Sequence, residues 1–332
     1  MPEKYLSIIV PVFNAEATLG KCLQAISKIK GFNECELIIA DDGSTDSSLE
    51  IAKKYTGKIV SSPKNKGAAF VRNLGAKSAS GEFLLFVDSD VVFSPVDILS
   101  YLKEDFARND ICGIYGVYEE KVPFNNFSSV YKHLYTCFGL GLGQRMSPRF
   151  FSTASSATLA VSRKTFLESG GFNESFPGVM AEDIEFSLRL VIKTNKLWYL
   201  DDRIKGQHIK KYTPLSLLKS DYSRVKGIAK ATQKKDFKLA YLKSCSSSSL
   251  YPFIAAFLTA VLFFSSIFYF NFLWFALATF LLFFLVELHF FRYLRKKKGI
   301  LFALLAISFS FCEMVLAGAS ALYWQLIYKL KK

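Results

Sequence analysis

"CELIIADDGSTDSS", residues 35–48, passes from an apolar run directly into two adjacent carboxylates, a glycine and a tail of hydroxyl side chains. A short apolar run bounded by turn residues is the pattern of a strand buried on both faces. Asp41 and Asp42 stand where that strand ends. The same rhythm extends in both directions. "LSIIVPV" (6–12) reads as a buried strand closing in a proline turn, and residues 16–29 carry helical spacing through Leu19, Cys22, Leu23 and Ile26. Residues 46–55 read as a helix, "KIVSS" (58–62) as a third strand, 67–77 as a helix, and "EFLLFV" (82–87) as a fourth strand stopping at Asp88. Strand and helix alternating in units of about 25 residues predict an α/β domain, a mostly parallel Rossmann-like sheet with helices on both faces. Ligands of such sheets bind beyond the carboxyl ends of the strands, so the polar residues that follow each strand are the candidates for function.

After Val92 the regularity loosens. Ser94 and Pro95 mark a helix start, "ICGIYGVY" (111–118) and "SATLAVS" (156–162) read as strands, and 123–153 is a mixed aromatic, Gly-rich and Arg-containing stretch. "AEDIEFSLRLVI" (181–192) is an amphipathic helix with Ile184, Leu188 and Val191 on one face.

Hydrophobic residues make up 51% of the 332, and 33 are Phe. They are concentrated late in the chain: 250–286 contains no charged side chain. About 18 uncharged apolar residues suffice to cross a hydrocarbon core, so this part reads as membrane-embedded. One helix over 37 residues would be ~55 Å long, nearly twice the core thickness. Three spans are therefore expected, over 251–270, 272–291 and 300–328, with "RYLRKKK" (292–298) as a cytoplasmic loop. With 251–270 in the interface instead, the C-terminal tail would lie inside. The net charge of +14 is not spread as a nucleic-acid surface would have it: 203–243 holds twelve Lys or Arg against two Asp, just ahead of the apolar region. Residues 215–231 mix apolar and basic residues at helical spacing, as in a helix lying at anionic headgroups. The expected organisation is a cytoplasmic domain over 1–212, a basic interfacial linker over 213–249 and a membrane domain over 250–332. No secretory signal opens the sequence, and the six cysteines form no CxxC pair, which fits reduced thiols rather than disulfides or zinc ligands. A multi-pass protein of a bacterial-type plasma membrane is the expected setting.

Three clusters should converge at one sheet edge: Pro11, Phe13 and Asn14; Asp41 and Asp42; and Asp88, Ser89 and Asp90. A strand-end carboxylate accepts hydrogen bonds from a base or ribose, and Phe13 offers a stacking face. Two carboxylates one residue apart at a tight turn suit a hard divalent cation shared with phosphates. Together they point to a nucleoside diphosphate and its metal. Lys66 and Arg72 in "NKGAAFVRN" (65–73) carry charge suited to phosphate, or are exposed helix charges.

"SIIVPVFNAEATLGKCLQAI", "DDGSTDSS", "NKGAAFVRNLGAKSASGEFLLFVDSDVVF" and "GGFNESFPGVMAEDIEFSLRL" follow one another in an order that resembles the motifs of family 2 glycosyltransferases with the GT-A fold, over residues 5–210. The resemblance implies inverting transfer of a sugar from a nucleotide diphosphate donor. It implies that Pro11, Phe13 and Asp42 contact the nucleotide, that Asp88 and Asp90 form a DxD site for Mg2+ or Mn2+, and that Asp183 is the catalytic base. Similar proteins carry a histidine near the metal or diphosphate, which here is His208; His133 and His289 have no such context.

No QxxRW follows the "ED" motif, which argues against a processive synthase and for one sugar per encounter. The acceptor is expected at the bilayer: a hydroxyl of a lipid or lipid-linked glycan, which needs a base such as Asp183, or a polyprenyl phosphate, which does not. Arg145, Arg149 and the basic run beyond Arg203 suit a lipid phosphate in either case. The alternative from another class is a non-catalytic nucleotide-binding membrane scaffold. A transporter is disfavoured, because Glu287, His289 and Glu313 are the only ionisable groups within the apolar segments.

Overall fold

Strand β1, Leu6–Val12, is buried along its whole length. Leu6, Ile8, Val10 and Val12 point into one core and Ile9 into the other, so both faces of the sheet are covered. Each fully buried aliphatic side chain contributes ~1.5–3 kcal/mol, which explains why this strand reads as a run rather than an alternation. β2 (Cys35–Asp41) and β4 (Phe83–Val87) flank β1 in parallel, and β3 (Ile59–Ser61) continues outside β2. Helix α1 (Glu16–Ile26) lays Leu19, Cys22, Leu23 and Ile26 on the first core, and α2 (Ser48–Lys53) follows β2. Helix α3 (Ala68–Ser78) covers the other face. It approaches β1 closely at Gly75, where an added Cβ would come within 2.6 Å of Ile9 Cγ2.

The computed structural model describes residues 4–94, 97–139, 149–176, 181–233, 235, 237–238, 241 and 247–330. The second half of the sheet is mixed, in keeping with the looser sequence pattern after Val92. β8 (Thr158–Ser162) runs antiparallel between β4 and β6 (Ile111–Tyr118), and β9 (Leu197–His208) lies parallel to β6. β5 (Val91–Phe93) and β7 (Phe150–Phe151) both pair antiparallel with β9. The order is β3-β2-β1-β4-β8-β6-β9-β5, with β7 on β9. Helix α4 (Ile98–Phe106) is capped by Asp97, whose carboxylate accepts the Ser100 N–H at 3.3 Å. The expected start at Ser94 thus falls upstream of the cap, and Pro95 lies outside the described residues. Helix α5 (Phe127–Gly139) occupies the stretch that showed no clear element, because its buried face mixes Val130, Tyr131 and Leu134 with Ser128, Ser129 and His133. Helices α6 (Arg163–Glu168) and α7 (Glu182–Thr194) complete this unit.

Strand β9 carries a large bulge. Tyr115 pairs with Leu200 and Val117 with Lys205, so residues 201–204 stand opposite Gly116 alone. Arg203 holds the bulge by donating to the buried Asp201 at 3.0 Å and to Asp105 and Glu104 on α4 at 3.1 and 2.6 Å. Beyond it β9 resumes and brings His208 opposite Val91.

The chain divides into two compact units, Met1–Lys211 and Tyr212–Lys332. The second opens with α8 (Pro214–Ala231), started by a capping box between Thr213 and Ser216. It continues with α9 (Ser247–Ser265), α10 (Phe272–Val286), α11 (Leu288–Lys298) and α12 (Ile300–Leu330). The three expected spans are not all found as helices long enough to cross a membrane. Among the described residues α12 alone is long and apolar enough to cross a membrane; α10 and α11 pass that test only as a pair, and they are bent by 56°. The apolar part of α9, Tyr251–Ser265, reaches only ~22 Å at 1.5 Å per residue, short of the ~30 Å core. A multi-pass arrangement is therefore not supported. The break between α10 and α11 falls at Glu287, after which the helix turns basic through Arg295 and Lys296–Lys298. Within this unit Gly318 on α12 admits the Phe257 ring of α9, and the Thr259 and Thr279 hydroxyls join α9 to α10 at 2.9 Å. The C-terminal part of α12 packs on α8: Lys226 Nζ lies 4.4 Å from the Trp324 ring, and Gln233 donates to Gln325 at 2.9 Å.

Candidate active site

The carboxyl ends of β1 and β2 are fastened to one another by side chains. Asn14, in the left-handed region at φ 47°, accepts the Thr45 N–H at 2.8 Å, and its own N–H donates to Ser44 Oγ at 3.1 Å. Asp41 accepts the N–H groups of Gly43 and Ser44 at 3.2 and 3.1 Å, as expected of a residue that ends a strand and shapes a turn. Asp42 is equally committed: its two oxygens accept the N–H groups of Lys66 and Gly67 at 2.7 Å each, and it is buried. Its carboxylate therefore ties the end of β2 to the entry of α3. Any bond to a nucleotide would use the lone pairs that remain. Pro11 is buried inside β1, opposite Ala40. Phe13 is a large apolar group at this edge that reaches solvent, 46% exposed. Lys66 is exposed, with its ammonium 4.2 Å from the Phe70 ring.

The acidic pair after β4 is split between two partners. Asp88 accepts from Arg72 Nη2 at 2.6 Å, while Asp90 Oδ1 faces His208 Nε2 at 3.4 Å. The backbone fixes both: Asp88 N–H donates to Ala157 at 3.2 Å, and Ile209 N–H donates to Asp90 O at 2.8 Å. Burial works to raise the Asp90 carboxyl, but His208 and Lys210 outweigh it and hold the group below its ordinary range. The sequence suggested Asp88, Asp90 and His208 as joint metal ligands. Among the described residues no three His, Cys, Asp or Glu side chains are grouped to hold a metal ion. The residues do fit a metal held by two of them: Asp90 Oδ1 is buried and makes no hydrogen bond, and it faces an imidazole nitrogen. A carboxylate oxygen and an imidazole form a competent partial donor set when a ligand's phosphates supply the rest.

Arg72 is not an exposed helix charge. Only 4% of its side chain is exposed, and it bridges Asp88 to Glu182, the latter at 3.0 Å. Burial acts to lower its pKa, but the carboxylates of Asp88, Glu182 and Asp183 prevail and lift it above the ordinary arginine range. Burial, with Asp183 beside it, pushes the Glu182 carboxyl up to about 7 against the pull of Arg72. Asp183 stands in the first turn of α7 and is partly exposed. The Ser187 hydroxyl anchors this helix by donating to the Asp183 carbonyl at 2.6 Å and accepting the Ala154 N–H at 3.1 Å. Asn73, next to Arg72, donates to the Phe172 carbonyl and accepts the Phe172 N–H, at 2.8 and 2.9 Å. Gly171, at φ 67°, is required there, since a Cβ would come within 2.5 Å of Asn73 Oδ1.

The structural weight of Arg72 and Asn73 was missed from the sequence. The available signal was their position among Ala69, Val71 and Ala76 on the covered face of α3. Arg149 bonds Asp202 and Tyr199 at 3.1 and 3.2 Å, so it is already engaged within the fold. Arg145 lies outside the described residues, and His133 is buried in α5.

Residues 7–160 match the family described as Glycosyl transferase family 2. A dodecaprenyl-phosphate galacturonate synthase of Rhizobium johnstonii is 35% identical over 107 residues, covering 30% of this chain and 32% of that protein. A cholesterol galactosyltransferase of Borreliella burgdorferi is 26% identical over 217 residues, covering 60% of this chain and 59% of that protein. The chain thus spans less than two thirds of either relative's length. Among solved structures, a mannosyltransferase of Pyrobaculum calidifontis in complex with GDP-Man and Mn2+ superposes with a TM-score of 0.62 at 14% identity, over 96% of this chain and 87% of that one. The N-terminal unit has the GT-A fold, a mixed α/β sheet, and α12 fits a C-terminal transmembrane helix.

Proposed function

We propose that this chain is a family 2 glycosyltransferase that moves one sugar, with inversion, from a nucleotide-sugar donor to an acceptor held at a membrane. The observation that carries the reading is that Arg72 joins Asp88, at the end of β4, to Glu182, at the start of α7 and next to Asp183. Phe13, exposed beyond β1, supplies a stacking face for the base; Pro11 shapes that edge; Asp42 holds the loop bearing the exposed Lys66, whose charge suits phosphate. Asp90 and His208 would hold Mg2+ or Mn2+, with Asp88 beside them. When bound, the ion would offset charge developing on the departing diphosphate.

Asp183 carries the proton chemistry. The acceptor oxygen attacks the anomeric carbon as the bond from that carbon to the nucleoside diphosphate breaks, and the bonding pair leaves with the diphosphate. The acceptor proton passes to the Asp183 carboxylate; such base assistance is worth ~10² to 10⁴ in rate. The apolar α12 and the basic α8 support an acceptor at the bilayer, with the N-terminal unit on the cytoplasmic face. An acceptor hydroxyl, on a lipid or lipid-linked glycan, is favoured because it needs this base, and the cholesterol galactosyltransferase relative is in keeping with it. Transfer to a polyprenyl phosphate is the second reading, favoured by the likeness to the dodecaprenyl-phosphate galacturonate synthase.

Membranes containing the chain, incubated with a panel of radiolabelled sugar nucleotides and extracted for lipid, provide the test. An acid-stable labelled lipid supports the hydroxyl reading, and one released by mild acid supports the polyprenyl phosphate. No transfer from any donor with Mg2+ or Mn2+ present, together with biological activity retained in Asp90→Ala and Asp183→Asn, would leave a non-catalytic scaffold instead.

A further inference from the structure

Two acidic motifs 94 positions apart in the sequence, at Asp88 and Glu182, meet on a single guanidinium. Arg72 is buried, and its charge is directed inward to the two carboxylates. The Phe172 ring, 5.6 Å from its guanidinium carbon, closes another side. Neighbouring Asn73 pins the loop that precedes α7 through Phe172 and Glu174, the latter at 2.9 Å. Successive residues of α3 therefore fasten the end of β4 and the approach to α7 to the same helix.

We infer that Arg72 is a positioning residue for sugar transfer, one that sets where Asp183 stands relative to the donor without touching the donor itself. This rests on the glycosyltransferase reading above. Glu182 precedes Asp183 directly, so fixing the Glu182 carboxylate fixes the first turn of α7 and with it the direction of the base. Asp88, fixed by the same guanidinium, belongs to the turn that carries Asp90. Arginine suits this task because its planar fork holds two carboxylates at once, which a lysine ammonium on a flexible stem does poorly. A displacement of about 1 Å in a reacting group costs ~10²-fold in rate. The inference therefore predicts a defect in the chemical step and not in donor binding.

The experiment compares full-length Arg72→Met, Arg72→Lys and Glu182→Gln with the parent in membranes, measuring kcat and donor KM separately. Binding of the nucleoside diphosphate and the thermal midpoint are measured on the same preparations. The expected result for Arg72→Met is a kcat lowered ~10²-fold with donor KM and nucleoside diphosphate affinity within about threefold of the parent, and partial recovery of kcat in Arg72→Lys. A donor KM or nucleoside diphosphate affinity weakened tenfold or more with kcat retained would make Arg72 a donor contact and overturn the inference. If Arg72→Met does not fold, Glu182→Gln decides: it keeps an oxygen acceptor for Arg72 but gives up the charge that holds the guanidinium, and it must lower kcat at unchanged donor KM. Parent-like kcat in Glu182→Gln sinks the inference alone, since the parent still transfers sugar. Absence of transfer by the parent sinks the glycosyltransferase reading together with it.

Discussion

His208 Nε2 stands 3.4 Å from Asp90 Oδ1, and the antiparallel pairing of β5 with β9 holds the two together. The contact depends on the β9 bulge, since residues 201–204 are accommodated opposite Gly116 before the strand resumes. A carboxylate and an imidazole held this way invite a direct test of metal dependence. A chelator should abolish sugar transfer, and Mn2+ or Mg2+ should restore it. His208→Ala should raise the metal concentration for half-maximal rate about tenfold, in the range seen when a metal's immediate surroundings are altered. Asp90→Ala should lose transfer at any metal concentration. Full activity of both variants in the presence of chelator would remove the metal from the site.

Asp183 is partly exposed, and its change to Asn should leave the thermal midpoint near that of the parent. Transfer to a hydroxyl acceptor should then fall ~10² to 10⁴-fold. If the acceptor is an anionic phosphate, whose oxygen carries no proton to remove, the loss should be below tenfold. Rates of this one variant with the purified acceptor therefore separate the two acceptor classes.

A second buried acidic cluster, away from the proposed chemistry, predicts how stability depends on pH. Burial, then the hydrogen bond and charge of Asp201, push the Asp105 carboxyl up to about 7 against the pull of Arg203. An unfolded Asp titrates near ~3.9, so the folded chain keeps a proton that the unfolded chain releases. That stabilisation is fully present below ~4 and is lost as pH rises through about 7. Glu182, also raised to about 7, contributes in the same direction. The urea midpoint should therefore fall between about pH 4 and pH 7, and Asp105→Asn should flatten that fall. An unchanged slope in the variant would show that the Asp105–Asp201 pair is not the source.

The packing of α8 on the C-terminal part of α12 bears on membrane topology. Lys226 over Trp324, and Gln233 on Gln325, bring the end of α12 to the same level as a basic helix suited to headgroups. With Cys245 and Cys312 replaced by Ser, single cysteines at the exposed Lys219 and Lys329 should react with an impermeant maleimide from the same side of the membrane. Labelling from opposite sides would contradict this packing and favour a tail outside.

The parallel half of the sheet was legible in the sequence because its strands are buried on both faces. "LSIIVPV" and "CELIIAD" needed no tertiary information to be recognised, and the acids that end the strands followed from that reading. The apolar C-terminal unit was legible in composition but not in geometry. A charge-free stretch announces apolar surroundings, whereas the lengths of α9 and α10 and the bend at Glu287 come from local breaks that average hydropathy does not register.

By itself, the sequence determined the α/β alternation, the chemical character of the sheet edge and the positions of Asp42, Asp88, Asp90 and Asp183. Those properties are carried by period and residue type within a few neighbouring positions. Tertiary structure alone decided the partners. The sequence offered Asp42 as a nucleotide contact, and only the fold shows that it also accepts from the Lys66 and Gly67 N–H groups. Arg72 had the local pattern of a surface charge, yet it lies buried between two carboxylates far away in the chain. The reason is physical. A buried charge has to find its counter-charge wherever the fold brings one, and that pairing depends on how β4, α3 and α7 pack rather than on the residues beside each group.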